Sequence, residues 1–322
     1  MNKILLSVLI AIFVSIILFY SFDKTFPASK VSDIENHKFF TIQSHLNSKQ
    51  IFMLGGSGAA QLNSTMIDFH LKNNTQDTSF YNLAYNADTP KQRYQSIHET
   101  LDLEPRLILY GITYYDLNGY LWDDIKENPQ LLPSITLNPV ELIAENNDPF
   151  SKINPKETTL NFIRDSFSDS QFFPSKRDRL QLENSPFSHI DDYQKIISTK
   201  ENLQKITPEF VANRVNQDPS ITNEQINYLF DIIELTQEKE INFILIILPQ
   251  HEYFLDLVPE RDEILFSNTI TKLEKEFDIK IYDLSRNYEN LNIWQDHNHV
   301  AFNTKSEIFS NDIYEIIIDK LN

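Results

Sequence analysis

No cysteine occurs in the sequence, so disulfides are excluded and the redox compartment leaves no trace. Positive charge is scarce: 28 Lys and Arg stand against 46 Asp and Glu, a formal net charge of −18. Phosphate backbones demand a basic surface, so a nucleic-acid partner is excluded. The same deficit argues against a domain lying flat on an anionic bilayer. A well-solvated surface that resists aggregation is the simplest meaning of the acidity. No HExxH pattern occurs, and no Lys follows the glycine-rich segment as a nucleotide phosphate loop requires. What is present, 322 residues of which 41% are hydrophobic, suffices for one large domain or one domain with a long insertion.

The chain has a single long apolar run. Residues 4–22, ILLSVLIAIFVSIILFYSF, carry no charge, proline or glycine. At about 1.5 Å per residue the run comes close to crossing a hydrocarbon core of roughly 30 Å. A cleaved signal peptide would have a shorter apolar region, about 7–15 residues, followed by small residues. Here the run continues into Phe19-Tyr20-Ser21-Phe22, and the nearest small pair is Ala28-Ser29. The expectation is a transmembrane anchor over 1–22, a polar stalk over 23–49 and a globular domain over 50–322. The flanking charges Lys3, Asp23, Lys24 and Lys30 barely discriminate orientation. The sequons at Asn63-Ser64-Thr65 and Asn73-Asn74-Thr75 are compatible with an extracytoplasmic domain, although such triplets are frequent by chance.

From residue 50 onward, short apolar runs alternate with amphipathic stretches. Gln50–Leu54, Ser79–Ala84, Arg106–Gly111, Asn242–Pro249 and Lys280–Asp283 read as strands. Between them lie helical patterns: from Gly58 to Leu71, from Thr89-Pro90 to Leu103, and over Thr222–Glu240, Glu260–Phe277 and Lys305–Leu321. Strands separated by helices predict a doubly wound parallel sheet, a flavodoxin-like three-layer α/β/α domain. The segment 118–221 breaks the alternation. It is rich in Pro, Asn and Asp, and predicts a largely helical insertion over the sheet, with helices at Ser188–Lys200 and Thr207–Asn216.

Ligands of open α/β sheets bind beyond the carboxyl ends of the strands. There stands Gly55-Gly56-Ser57-Gly58, a serine flanked by glycines where a buried strand turns into a helix. Glycines allow the sharp turn, and the helix start aims free N–H groups at the site. A nucleophilic serine uses such groups to hold the oxyanion formed on attack, whereas a serine that merely caps the helix has no further need of them. Asp296-His297-Asn298-His299 offers the other half: a histidine base and a carboxylate to hold it in one tautomer. Asp296, His297 and His299 also leave a metal reading open, with no further carboxylate cluster to support it. His251, after the most apolar strand, points to the same edge, either as a substrate or acyl-donor contact or as a strand-end surface residue.

An early Gly-x-Ser block paired with a late Asp-x-x-His block resembles the SGNH (GDSL-like) hydrolase superfamily. The blocks stand here as Gly55-Gly56-Ser57 and Asp296-x-x-His299, with Tyr81–Pro90 in the place of the second block and Pro105–Thr113 in that of the third. Together with the apolar N-terminus, the layout is most similar to membrane-anchored members that add or remove acyl groups on cell-surface polymers. The resemblance implies Ser57 as nucleophile, His299 as general acid and base, Asp296 as its orienter, and an acyl-enzyme that needs no cofactor. It implies an acylated glycan, polymer or lipid as substrate, and a membrane acyl-donor protein as a further partner. Gly58, Asn86, Ala87 and Thr113 become the oxyanion or substrate candidates. Asn86-Ala87 stand where the family supplies a glycine N–H, and Thr113 where it supplies an asparagine side chain. A non-catalytic binding or scaffold protein of the same fold is the alternative. An α/β-hydrolase fits less well, because Ser57 follows the first strand and Asp296 lies beside His299 in sequence.

Overall fold

The computed structural model describes residues 38–43, 49–75, 77–86, 88–117, 180–214 and 219–321. The expected anchor at 1–22, the stalk up to residue 37, Ala87 and residues 118–179 of the insertion lie outside the described residues. Among the described residues, no helix is long and apolar enough to cross a membrane.

The first helix among the described residues, α1 (Lys38–Gln43), carries Phe39 and Phe40. Both rings are buried, Phe39 against Phe52, Tyr81 and Phe187. Residues 38–43, expected to belong to the stalk, are therefore packed structure, because two adjacent aromatics gain more from burial than from water. Strand β1 (Lys49–Gly55) leads into the short helix α2 (Ser57–Ala60) and then α3 (Ser64–Asn74). The single helix expected here is broken because the Asn63 side chain accepts from Met66 N at 3.1 Å and starts a new one. After β2 (Thr78–Asn82), Thr89 caps α4 (Pro90–Gln95) with Pro90 in its first turn, and Ser96 separates it from α5 (Ile97–Leu101). Strand β3 (Leu107–Ile112) follows. The chain continues through α6 (Lys200–Arg214), α7 (Pro219–Glu238), β4 (Asn242–Ile247), α8 (Glu252–Leu255), α9 (Glu260–Phe277), β5 (Lys280–Asp283) and α10 (Glu307–Leu321).

The five strands form one parallel sheet in the order β2-β1-β3-β4-β5. This is the flavodoxin-like order, whose switch point lies between β1 and β3. Side chains alternate between two cores. Phe52, Leu54, Ile108, Tyr110, Leu245 and Ile247 face α5, α7 and α9. Ile51, Met53, Leu107, Leu109, Ile244 and Ile246 face α2, α3 and α10. Burial on both faces is why these strands read as continuous apolar runs. The residues handing helices back to strands, Asp77, Glu104, Glu240 and Asp278, adopt left-handed φ between 49° and 62° without being glycine.

The expected helix at Ser188–Lys200 is corrected. Ile190 is buried while Tyr193 and Ile196 are exposed, so no helical face forms. Only a 3-10 turn occurs, at Asp192–Lys195. The segment is instead an extended strap, whose residues Leu180 and Ile190 exchange backbone bonds at 2.9 and 2.8 Å. Asn184 bonds the free edge of β2: its O accepts from Asn82 N at 2.7 Å and its amide donates to Phe80 O at 2.9 Å. The strap then runs to the loop before α10, where Ser198 N donates to Trp294 O at 2.8 Å and Phe302 N to Gln194 O at 2.7 Å.

Candidate active site

Four of the five glycines in the chain, Gly55, Gly56, Gly58 and Gly111, gather at the ends of β1 and β3. Gly55 has φ of +130°, and a Cβ there would lie 2.4 Å from the Gly111 carbonyl oxygen. A side chain is thus impossible at this turn on two grounds. The turn makes Ser57 the first residue of α2. Ala59 and Ala60 N–H both donate to Gly56 O at 3.1 Å, so the Ser57 and Gly58 amides have no partner inside the helix. A Cβ on Gly58 would meet Leu248 at 3.4 Å and Asn298 O at 3.6 Å, ordinary contacts that place the helix start directly against the Asp296–His299 loop.

That loop is closed by an antiparallel bridge between Trp294 and Val300 and by Gln295 N donating to His299 O at 2.9 Å. Asp296 Oδ1 accepts from the N–H groups of Asn298 and His299, both at 3.0 Å. These bonds hold the carboxylate beside the ring, where His299 Nδ1 lies 2.9 Å from Oδ1 and 2.8 Å from Oδ2. His299 Nε2 lies 2.7 Å from Ser57 Oγ. A carboxylate can only accept, so Nδ1 carries the proton and Nε2 presents its lone pair to the serine hydroxyl. Burial raises the Asp296 pKa, yet the His299 ring, His297 and the Asn298 N–H outweigh it and hold the carboxyl down to about 2. A buried bond from Gln61 Nε2 to Gln295 Oε1, 2.7 Å, ties the segment after Ser57 to the same loop.

The remaining candidates are placed differently. Thr113, an oxyanion candidate, donates through both its N–H and its hydroxyl to Asp116 Oδ2 at 2.7 Å and is 1% exposed. A charged acceptor three residues on captures both donors, so the threonine braces its own turn and has no hydrogen left for an incoming oxygen. His251 is neither a surface residue nor open to solvent. Its Nδ1 accepts from Tyr253 N at 3.1 Å as the cap of α8, and its ring stands edge-on to Trp294. Burial lowers its pKa, with the nearby Lys200 adding to the effect against neighbouring carboxylates. Asn86 is exposed in the loop after β2, and Ala87 lies outside the described residues. Among the described residues, Asp296, His297 and His299 form no metal-holding group; the His297 ring stacks on Phe254.

Sequence reasoning missed three neighbours. Asn298 sends its amide to the Tyr115 hydroxyl, and the same nitrogen lies 3.4 Å from His299 Nε2. Asp116 stands so close that a Cβ on Gly56 would lie 3.8 Å from its Oδ1. The third is a fully buried ion pair: Arg93 Nε donates to Asp88 Oδ2 at 2.9 Å, Nη2 reaches the same oxygen, and Nη2 also donates to Leu83 O at 2.9 Å. The pair fastens both ends of the loop carrying Asn86. Burial raises the Asp88 pKa to about 6 despite Arg93. The Thr-x-x-Asp spacing of Thr113 and Asp116 was a readable turn signal; the five-residue step from Asp88 to Arg93 carries none.

No family model matches the chain, and no curated protein matches it. Solved structures similar to it include an acetyl xylan esterase, 10% identical with a TM-score of 0.43 over 83% of this chain and 99% of that one. A GDSL-like lipase from Bacteroides thetaiotaomicron is 9% identical, with a TM-score of 0.42 over 90% of this chain and 100% of its own. A psychrotrophic esterase from Pseudoalteromonas sp. is 10% identical, with a TM-score of 0.40 over 85% of this chain and 100% of its own.

Proposed function

We propose that the chain is an SGNH-type serine esterase or O-acyltransferase with Ser57 as nucleophile, His299 as acid and base, and Asp296 as the group that orients it. The observation that carries this reading is the unbroken relay from Asp296 through His299 to Ser57 Oγ, with 2.8 and 2.7 Å links. A serine and histidine apart by much more than hydrogen-bond reach would have favoured a scaffold.

In the reaction, Ser57 Oγ attacks the ester carbonyl carbon while its proton passes to Nε2. Asp296, ionised at any working pH, stabilises the imidazolium. The Ser57 and Gly58 N–H groups supply the oxyanion contacts. Collapse breaks the carbon–oxygen bond, the leaving alcohol takes the Nε2 proton, and an acyl-Ser57 remains. Water or a second alcohol then repeats the sequence in reverse. Without a donor from Thr113, transition-state stabilisation is reduced by about 3 kcal/mol, which makes a slow or specialised enzyme. The apolar run over 4–22 supports a membrane-anchored, extracytoplasmic enzyme acting on an acylated glycan, cell-surface polymer or lipid, with a membrane acyl-donor protein as partner.

The commitment of Thr113 to Asp116 favours a second reading, a binding or scaffold protein that retains the fold without turnover. A fluorophosphonate probe separates the two. Covalent labelling of the wild type and none of Ser57→Ala supports the enzyme; an unlabelled wild type supports the scaffold.

A further inference from the structure

We propose that Asn298, braced by Tyr115, forms the alcohol subsite of this centre by donating a hydrogen bond to the oxygen that exchanges a proton with His299. The inference rests on the Ser57–His299–Asp296 reading above. Asn298 is 3% exposed, and three contacts fix its place. Its backbone N–H donates to Asp296 Oδ1 at 3.0 Å, its amide nitrogen donates to the Tyr115 hydroxyl, and that nitrogen lies 3.4 Å from His299 Nε2. Tyr115 is itself anchored edge-on against Phe254.

The position decides which substrate oxygen Asn298 meets. The carbonyl oxygen of a bound ester turns toward the Ser57 and Gly58 amides. The ester oxygen of the alcohol turns toward Nε2, which must protonate it. A donor 3.4 Å from Nε2 therefore stands on the alcohol side. Protonation of Nε2 strengthens the argument. The single lone pair of that nitrogen serves the Ser57 hydroxyl at rest and holds the proton after attack, so the second amide hydrogen of Asn298 turns to the alcohol oxygen as negative charge grows there. In cleavage the ester carbon–oxygen bond breaks, the Nε2 proton passes to the alcohol, and Asn298 keeps both its hydrogens. In transfer, the incoming hydroxyl gives its proton to Nε2 as its oxygen bonds the acyl carbon, held by the same amide.

Leaving-group dependence tests this. p-Nitrophenolate departs without a proton, whereas ethanol needs one. Asn298→Ala is expected to lower kcat/KM for ethyl acetate by about 10- to 100-fold, the worth of a hydrogen bond to a charged oxygen. Its loss on p-nitrophenyl acetate should stay within about 3-fold, with fluorophosphonate labelling of Ser57 retained. Tyr115→Phe, which keeps the ring packing, should show the same selectivity in smaller measure. Equal losses on both esters in both variants would overturn the subsite and leave the triad standing. A wild type that neither labels at Ser57 nor cleaves p-nitrophenyl acetate would instead overturn the triad reading and this one with it.

Discussion

Replacing Asp296 by asparagine alters one atom and should reverse the histidine. Oδ1 accepts from two backbone N–H groups at 3.0 Å, so the asparagine must keep its carbonyl oxygen there; an NH2 would face two donors. The NH2 is thereby forced into the Oδ2 position, 2.8 Å from His299 Nδ1. Nδ1 must then accept, its proton moves to Nε2, and Nε2 becomes a donor toward Ser57 Oγ. On the proposed mechanism the base is then lost although every heavy atom stays in place. Loss of the correct tautomer in a serine triad costs on the order of 10⁴ in rate, or about 5.5 kcal/mol. Stability changes as well. The Asp296 carboxyl sits at about 2 rather than 3.8 in the fold. Its contribution, roughly 2 kcal/mol, is present above pH 3.8 and is lost as pH falls through about 2. Two measurements check this: the rate of fluorophosphonate labelling at pH 7, and urea unfolding at pH 7 and pH 3. A variant labelled within about 10-fold of the wild type would refute the tautomer argument. Unchanged acid sensitivity would refute the linkage.

Gly55→Ala combines a forbidden φ of +130° with a 2.4 Å approach to the Gly111 carbonyl, and should lower stability by about 3 kcal/mol or more in urea melts. A loss under about 1 kcal/mol would mean that the β1–β3 register gives way easily. Arg93→Met leaves the Asp88 carboxylate buried without its cation and should cost about 3–5 kcal/mol, whereas the double variant Asp88→Leu, Arg93→Met should lose less. Double-variant losses equal to the sum would show that the pair is not coupled. His251→Ala removes the α8 cap and should cost about 1 kcal/mol, largely restored in His251→Asn, with Ser57 labelling unchanged. Full stability with reduced turnover would restore His251 as a substrate contact.

Strands β1, β3 and β4 were legible because burial on both sheet faces writes them as apolar runs, while the partly exposed β5 and the helix α9 also fall on the expected bounds. Helix breaks were less so. Asn63 and Ser96 interrupt patterns whose apolar spacing continues across them, and only the cap geometry reveals the stop. Over 188–198 the sequence pattern suggests a helix where the chain is extended, since its backbone partners in the loop before α10 are distant in sequence. At the site, spacing within a block was informative: Asp296 and His299 lie on one tight turn. Relations between blocks were not. Nothing in the sequence tells that Asn298 reaches Tyr115, or that Asp116 rather than a ligand takes the Thr113 hydroxyl.

The strap joins two regions that are distant in sequence. One end holds the β2 edge through Asn184, and the other holds the loop carrying His299 through Ser198, Gln194 and Lys195. Local unfolding is cooperative over segments that share hydrogen bonds. Fraying at β2 therefore carries with it the turn on which His299 is mounted. The amide hydrogens of Asn82, Ser198 and Phe302 should exchange with deuterium at a common rate, as members of one foldon. On the proposed mechanism, a nick along residues 180–198 should then slow Ser57 labelling from a distance, by releasing His299 rather than by touching the serine.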